Sequence, residues 1–390
     1  MIEWFVVGGA VRDLLLGNSV RDLDVSFAGG GEAFLQVFPH YRNTGGSPEV
    51  LLAGGLECTE LQGSLEEDML RRDLTVNAAA IDARGCLFCH PRFLEDLCAG
   101  VLRLSSPEVL EQDPLRVFRA ARFAAMFPDF DLDGESLEAL RSFCNERRDR
   151  LAVLPRERVC QELMKAMAAA RPSRFFTVLQ SIGGLQPWFS EIVPAPNIPA
   201  GPRPWHDDSL FEHTLTVMDR CAGNPLTVWM ALCHDLGKTV TEPALLPHHY
   251  GHEHRGVELV RVLGERIGVP KRYLRAGMTG TELHMKGGIY GTLRVGTRRD
   301  LLVSLGKAGL WHEFWKLACA DGGTDWEPAA RRDWIVMSRV RLPKKWQDKG
   351  ELSGQHLRLL QCHALGSFPG VSAEKLKDAS DQKANRSKES

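Results

Sequence analysis

The stretch VVGGAVRDLLLGNSVRDLDVSF, Val6 to Phe27, decides how the first part of the chain is read. Apolar residues lead into two glycines and an arginine, and two aspartates set two apart open the next β-rich run. Residues i and i+2 of a strand share a face, so Asp22 and Asp24 are expected to present both carboxylates on one side of a sheet. Gly8 and Gly9 let backbone come close to a bulky anion, while Arg12 and Arg21 place positive charge beside the carboxylates. The pattern predicts a site for a metal-bound polyphosphate.

Outward from that stretch, 390 residues with 44% hydrophobic and 25% charged content predict a globular chain of two or three domains. The N-terminal residues hold no basic segment followed by an apolar run, and no run approaches membrane-spanning length. The expectation is a cytoplasmic chain with no membrane partner. Ten scattered cysteines suit reduced thiols better than a disulfide framework. Cys86, Cys89 and His90 in GCLFCHP match a haem-attachment spacing, yet without an export signal an incidental hairpin is the better reading.

The formal net charge of −2 argues against a protein that coats nucleic acid. Locally the balance differs: Arg255 to Lys316 carries 12 Lys/Arg against 5 Asp/Glu, which fits either a solvated helical surface or a phosphate-backbone footprint.

Up to about Asp96, short β-rich runs (WFVVG, DLDVSF, VLLAGGLECTEL, AAAIDARGCLF) alternate with glycine-bearing turns and predict a small mixed α/β sheet domain. Helical spacing then takes over. DPLRVFRAARFAAMF places Leu115, Phe118, Ala121 and Phe123 at helical intervals with Arg116, Arg119 and Arg122 between them. LPRERVCQELMKAMAAARP reads as another amphipathic helix, with Pro155 suited to its first turn and Pro172 ending it. A proline-rich connector, EIVPAPNIPAGPRPWHDD, precedes a histidine-rich helical region, and the polar end SAEKLKDASDQKANRSKES is predicted to be disordered.

Two constellations carry chemistry. The first adds LEEDMLRRDLTVNAAAID, with Arg71, Arg72, Asp73 and Asn77, and then EQDPLRVFRAARFA to the opening stretch. Taken in that order, these motifs resemble the class II tRNA nucleotidyltransferases (CCA-adding and CC-adding enzymes) and bacterial poly(A) polymerases. The resemblance implies a polymerase-β-like α+β head followed by a mostly α-helical neck, body and tail. It implies Asp22 and Asp24 as magnesium ligands with Glu57 as a third carboxylate on a neighbouring strand, and tRNA, CTP and ATP as partners. Gly8, Gly9 and Arg12 would meet the triphosphate and Arg72 the nucleotide. Cytosine and adenine both show an amino donor beside a ring-nitrogen acceptor, so an Asp paired with an Arg accepts them and rejects uracil and guanine. Asp113 and Arg116 stand where the family places that pair, Arg119 follows one turn on, and Gln112 replaces the family's Glu.

Family members that add all of CCA carry a flexible loop, preceded by a basic residue, between the metal carboxylates and the RRD motif. Here LECTELQGSLEEDMLRRD runs from one to the other almost directly, with Gln62 where the basic residue would stand. By resemblance this favours addition of the two cytidines alone, with full CCA addition, A-addition and poly(A) synthesis as alternatives.

The second constellation is His213 in FEHTLTVM, His234 and Asp235 in ALCHDLGK, the histidines of PHHYGHEHRG (His248, His249, His252, His254) and Asp321 in ACADGGTD. It resembles the HD metal-dependent phosphohydrolases, a domain that one bacterial subgroup of the same family carries. The resemblance implies His213, His234, Asp235 and Asp321 as ligands of a divalent ion such as Ni²⁺, Mn²⁺ or Mg²⁺, and Lys238 as a phosphate contact. Cyclic phosphodiesterase, 2′-nucleotidase or phosphatase activity would follow. A metal phosphohydrolase with an inactive, RNA-binding head is the rival reading. The implied organisation is a nucleotidyltransferase head at 1–125, a helical neck and RNA-binding region at 126–205, an HD domain at 206–330 and a helical tail with a disordered end at 331–390. Monomer and homodimer both remain open.

Overall fold

The computed structural model describes residues 2–20, 23–43, 50–53, 56–61, 63–203 and 208–367. Arg21, Asp22, Gln62 and the polar end from Ser372 lie outside the described residues. The chain divides into two compact units, the first running to Ser190 and the second beginning at Glu191.

The first unit opens with β1 (Glu3–Val7), α1 (Gly9–Leu15), β2 (Asp24–Ala28), α2 (Gly31–Val37), β3 (Arg42–Asn43), β4 (Val50–Ala53) and β5 (Leu56–Glu60). After α3 (Leu65–Leu70) come β6 (Ala79–Asp82) and β7 (Leu87–Cys89), giving a seven-stranded sheet ordered β3-β4-β5-β2-β1-β6-β7. The sheet combines both pairing directions: β2 pairs antiparallel with β1 and parallel with β5. The run VLLAGGLECTEL, read as one β segment, is two antiparallel strands, β4 and β5. AAAIDARGCLF likewise folds into the β6–β7 hairpin, which accounts for the spacing of Cys86, Cys89 and His90.

Alternation along β1 assigns its two faces. Phe5 and Val7 pack with Met69, Ala78 and Ala80 on one side. Trp4, opposite Phe27 in register, joins Phe27 and Phe34 on the other, where Phe27 and Phe34 stack at 4.6 Å. The sheet is therefore clamped by an aromatic cluster under α2 and an aliphatic layer under α3, which fixes β2 and β5 side by side.

The unit continues through α4 (Phe93–Ala99), β8 (Val101–Leu102), α5 (Val109–Gln112), α6 (Arg116–Met126), β9 (Asp131–Leu132), α7 (Gly134–Glu146), α8 (Arg148–Ala152), α9 (Arg156–Met167) and α10 (Ser173–Ser181). Helix α6 buries Val117, Phe118, Ala121 and Ala124 at helical spacing and packs against α9 and α10. Pro155 sits at the N-cap of α9, one position earlier than the first-turn placement. Pro172 does not end that helix: α9 stops at Met167, and Pro172 instead caps the start of α10, where its missing N–H costs nothing.

The second unit is helical among its described residues: α11 (Leu210–Arg220), α12 (Pro225–Cys233), α13 (His252–Ile267), α14 (Lys271–Gly288), α15 (Val295–Ala308), α16 (Trp311–Ala320), α17 (Glu327–Ser338) and α18 (Glu351–Ser367). Helix α12 is buried along its whole length and packs on α11, α14 and α16. It is the core element of the unit, and His234 and Asp235 directly follow its last residue. Among the described residues, no helix is long and apolar enough to cross a membrane.

Candidate functional site

One cavity of about 1030 Å³ in the first unit gathers Gly8, Gly9, Arg12, Asp24, Glu57, Arg72, Asp113, Arg116 and Arg119 on its wall. The parallel pairing of β2 with β5 puts Asp24 and Glu57 in register as direct neighbours, both exposed. Two oxygen donors on adjacent strands suit a hard divalent cation. Asp22, the expected partner of Asp24, lies outside the described residues.

Gly8 turns the chain from β1 into α1 at φ 70, and a Cβ there would stand 3.0 Å from Arg72 Nη1, so glycine is what lets this guanidinium lie against the turn. Arg72 is held in turn by Asp68 at 2.8 Å, one helical turn earlier. Helix α3, which carries Asp68, begins with a reciprocal capping box between Ser64 and Glu67.

Arg12 and Arg119, expected at the nucleotide, reach the cavity wall but are also bound into the protein. Arg12 is buried, donates to Asp13 Oδ1 at 2.9 Å and to Asn77 Oδ1, and lies 4.6 Å over the Phe127 ring. Asn77 Nδ2 donates to Asp73 Oδ1 at 2.9 Å, and Arg119 Nε donates to Asp73 Oδ2 at 2.7 Å. Burial alone would push Asp73 up, but the Arg119 charge and the hydrogen bonds from Asn77, Arg119 and the Leu74 N–H hold it well below the usual carboxylate range. Asp73 raises the Arg119 pKa reciprocally. The RRD aspartate is thus the hub that ties the head to α6.

Asp113 and Arg116, expected as a pair, are not paired with each other. Asp113 accepts from Arg158 Nη2 at 2.7 Å, across from α9. Arg116 donates to the carbonyls of Arg71 at 2.6 Å and Val109 at 3.1 Å, and to Gln112 Oε1 at 3.4 Å. Arg158 was missed by the sequence reading because 45 residues separate it from Asp113. Its arginine-rich segment gave only an amphipathic period.

The second unit brings all four expected ligands together. His213 from α11, His234 and Asp235 after α12, and Asp321 at the end of α16 offer ligand atoms within 4.8 Å of one another. His213 Nε2 lies 3.0 Å from Asp321 Oδ1, and His234 Nε2 lies 3.2 Å from Asp235 Oδ2. Burial opposes charge on His234, yet Asp235 and Asp321 outweigh it and raise its pKa to about 10. Asp235 and Asp321 are held low in return, against their burial, with His234 the largest cause for each. Imidazole and carboxylate donors in a buried cluster suit a first-row divalent transition metal.

Two further histidines reach the same aspartate. His252, at the first turn of α13, and His284, in α14, approach Asp235 Oδ1 at 3.2 and 3.3 Å. The packing that places His252 is unusually close: a Cβ on Gly237 would fall 2.0 Å from the His252 carbonyl oxygen. His252 was one of four histidines in PHHYGHEHRG with nothing to single it out. His284 was missed altogether, standing alone in TELHMK.

Lys238 is not free for phosphate as expected. It is buried, donates to the Ala200 carbonyl at 2.8 Å and pairs with Asp235 Oδ2 at 2.7 Å. Much of the basic excess from Arg255 to Lys316 is neutralised locally, since Arg261, Arg266, Arg272 and Arg298 pair with Glu258, Glu191, Glu313 and Asp333. Cys86, Cys89 and His90 form no three-ligand group among the described residues.

The family described as "Poly A polymerase head domain" matches residues 4–53, and "Probable RNA and SrmB- binding site of polymerase A" matches residues 129–195. A protein of Actinobacillus pleuropneumoniae serotype 5b named "Multifunctional CCA protein" is 37% identical over 73% of this chain and 75% of its own length. Its namesake in Pseudoalteromonas atlantica is 33% identical over 94% of this chain and 99% of that one. Among solved structures, the Bacillus stearothermophilus CCA-adding enzyme in complex with CTP has a TM-score of 0.65 at 21% identity, covering 98% of this chain and 95% of that one. The Thermotoga maritima CCA-adding enzyme complexed with tRNA has a TM-score of 0.59 at 17% identity, covering 98% and 91%. At those identities the structural likeness speaks for the fold.

Proposed function

This chain belongs to the family of the multifunctional CCA proteins, tRNA nucleotidyltransferases, and we propose that its first cavity extends tRNA 3′ ends from CTP while its second unit hydrolyses phosphate esters. The observation that carries the first half is that one cavity gathers Asp24 and Glu57 together with Asp113, Arg116 and Arg158. Asp22, Asp24 and Glu57 would hold magnesium. When bound, it favours ionisation of the RNA 3′-hydroxyl and neutralises charge on the triphosphate. The protein's own part is positioning and charge. Gly8 keeps the turn narrow, Arg72 lies beside it, and Asp113 and Arg116 present an acceptor and a donor to the base. Presenting Asp113 to a cytosine amino group requires Arg158 to share or yield that carboxylate. tRNA would be held through phosphates and shape, since one enzyme serves many tRNAs.

Addition stops after two cytidines in this reading. Its support is the short connection from Glu60 at the end of β5 to Leu65 at the start of α3, which leaves no room for the loop that full CCA addition uses in this family. The test is extension of tRNA transcripts ending before CCA, after C or after CC, with CTP, ATP or both in Mg²⁺, at single-nucleotide resolution. Two added cytidines and no adenosine are expected. Completion to CCA overturns the restriction, and addition of adenosines alone overturns the cytidine role.

The phosphohydrolase half rests on the convergence of His213, His234, Asp235 and Asp321. These residues would hold a divalent ion, which supplies an activated water when bound. Phosphate release is expected from RNA ending in a 2′,3′-cyclic phosphate. None with Ni²⁺, Mn²⁺ or Mg²⁺ contradicts the reading.

A further inference from the structure

Helices α6 and α9 pack side by side at the cavity of the first unit, and charged pairs join them. On α9, Arg158, Glu162 and Lys165 stand at positions i, i+4 and i+7, so they share one helical face. Arg158 donates to Asp113, just ahead of α6. One turn on, Glu162 accepts from Arg122 and lies 4.0 Å from Arg119. At the next turn the pattern stops: Lys165 meets no acid among the described residues. Helix α6 ends there in Met126, whose sulfur is engaged by Arg122 Nη1 at 2.9 Å, and Phe127 follows.

Met126, Phe127 and Lys165 all line the cavity that holds Asp24 and Glu57. The arginines of the same wall are tied into the protein: Arg12 to Asp13, Arg72 to Asp68, Arg119 to Asp73, Arg122 to Glu162 and Arg158 to Asp113. A paired guanidinium adds little net field to the cavity, whereas the exposed, unpaired ammonium of Lys165 adds a full charge. An ammonium is also a compact charge with three rotatable donors, which suits a phosphate oxygen better than the flat edge of a base. The pair that lacks a protein anion thus opens onto the space where both substrates of a nucleotidyl transfer bring phosphate.

We propose that Lys165 binds a phosphate of a transfer substrate, the ligand supplying the anion that α6 does not. That phosphate belongs either to the nucleoside triphosphate or to the backbone of the RNA 3′ end. This rests on the nucleotidyl-transfer reading of the cavity.

The test compares the full-length wild type with Lys165→Ala and Lys165→Arg in Mg²⁺. Cytidine incorporation is measured with CTP and tRNA varied in turn, and equilibrium dialysis measures CTP binding without RNA. Lys165→Ala should raise KM for one substrate about tenfold, as loss of a hydrogen bond to a charged group does, with kcat changed less than about threefold and the denaturant midpoint unmoved. Lys165→Arg should restore KM. A rise in KM for CTP with weaker CTP binding assigns the contact to the triphosphate, and a rise for tRNA with CTP binding unchanged assigns it to the RNA backbone. Unchanged KM for both substrates overturns the contact and leaves the transfer reading intact, as does a loss that Lys165→Arg shares, since that reports packing. A wild-type protein that incorporates no cytidine overturns the transfer reading and this contact with it.

Discussion

In the first unit Asp24 and Glu57 stand exposed on adjacent strands at the edge of a cavity wide enough for a nucleotide, whereas in the second unit His234 and Asp235 are 0% and 2% exposed. The first site keeps its carboxylates in solvent, where a metal that arrives with a polyphosphate can use them. The second buries its donors in mutual pairs, His213 with Asp321 and both His234 and Lys238 with Asp235, and these are the groups the proposed ion would engage. Cations are handled in opposite ways too. Around the cavity Arg12, Arg72, Arg119 and Arg158 each engage a side-chain partner yet line open space, while Lys238 is closed in against Asp235. One chain thus holds an open site lined by arginines and exposed carboxylates and a closed site whose charges pair with one another.

The contrast can be broken or sharpened by substitution. Glu57→Ala should give the largest effect: loss of one carboxylate beside the metals lowers kcat/KM for cytidine incorporation on the order of 10²-fold or more, with phosphate release unchanged. Steady-state kinetics of both reactions checks it, and equal losses in both would end the separation of sites.

Asp73→Ala should be next, through stability. It strands Arg119, which is 34% exposed at the cavity and pairs with both Asp73 and Glu162, so that with solvent screening the loss is about 2 kcal/mol, read as a lowered denaturant midpoint of the first unit. The pH dependence follows from the direction of the shift. Because the folded-state pKa of Asp73 is depressed, its stabilisation is fully present above the unfolded carboxylate pKa and is lost as pH falls through the folded value. Acid unfolding of the wild type should therefore be steeper than that of the variant.

The buried site should respond to pH differently. Without a metal, His234 carries a proton up to about pH 10, so an ion must displace it at neutral pH. Metal affinity should rise about tenfold per pH unit for each proton released below that value. Calorimetry in buffers of different ionisation enthalpy counts the protons, and a pH-independent affinity would remove His234 from the ligand set.

The smallest effects should come from the capping boxes that start α3 and α11. Ser64→Ala and Ser209→Ala should each cost about 1 kcal/mol in chemical denaturation. Ser64→Ala should in addition weaken CTP binding through Asp68 and Arg72.

What was legible in the sequence followed local spacing. The β1 stretch, the arginines of α6 and the adjacent His-Asp pair are local patterns, and the small α/β head and helical remainder followed from them. The position of Glu57 beside Asp24 was reached through resemblance, and the parallel β2–β5 register gives it a physical basis. What escaped depends on long-range packing. Arg158 reaches Asp113 only because α9 packs on α6, and His284 reaches Asp235 only because α14 packs on α12. Lys238 was misread for the same reason: its fate was set by the Ala200 carbonyl and the burial of the turn after α12.

The most direct test of two separate centres is to measure cytidine incorporation into tRNA and phosphate release from cyclic-phosphate RNA for Asp24→Ala and Asp235→Ala side by side. The account predicts a crossed result: Asp24→Ala abolishes incorporation and keeps phosphate release, and Asp235→Ala does the reverse. Loss of both activities in either folded variant, or phosphate release that survives Asp235→Ala, would contradict it.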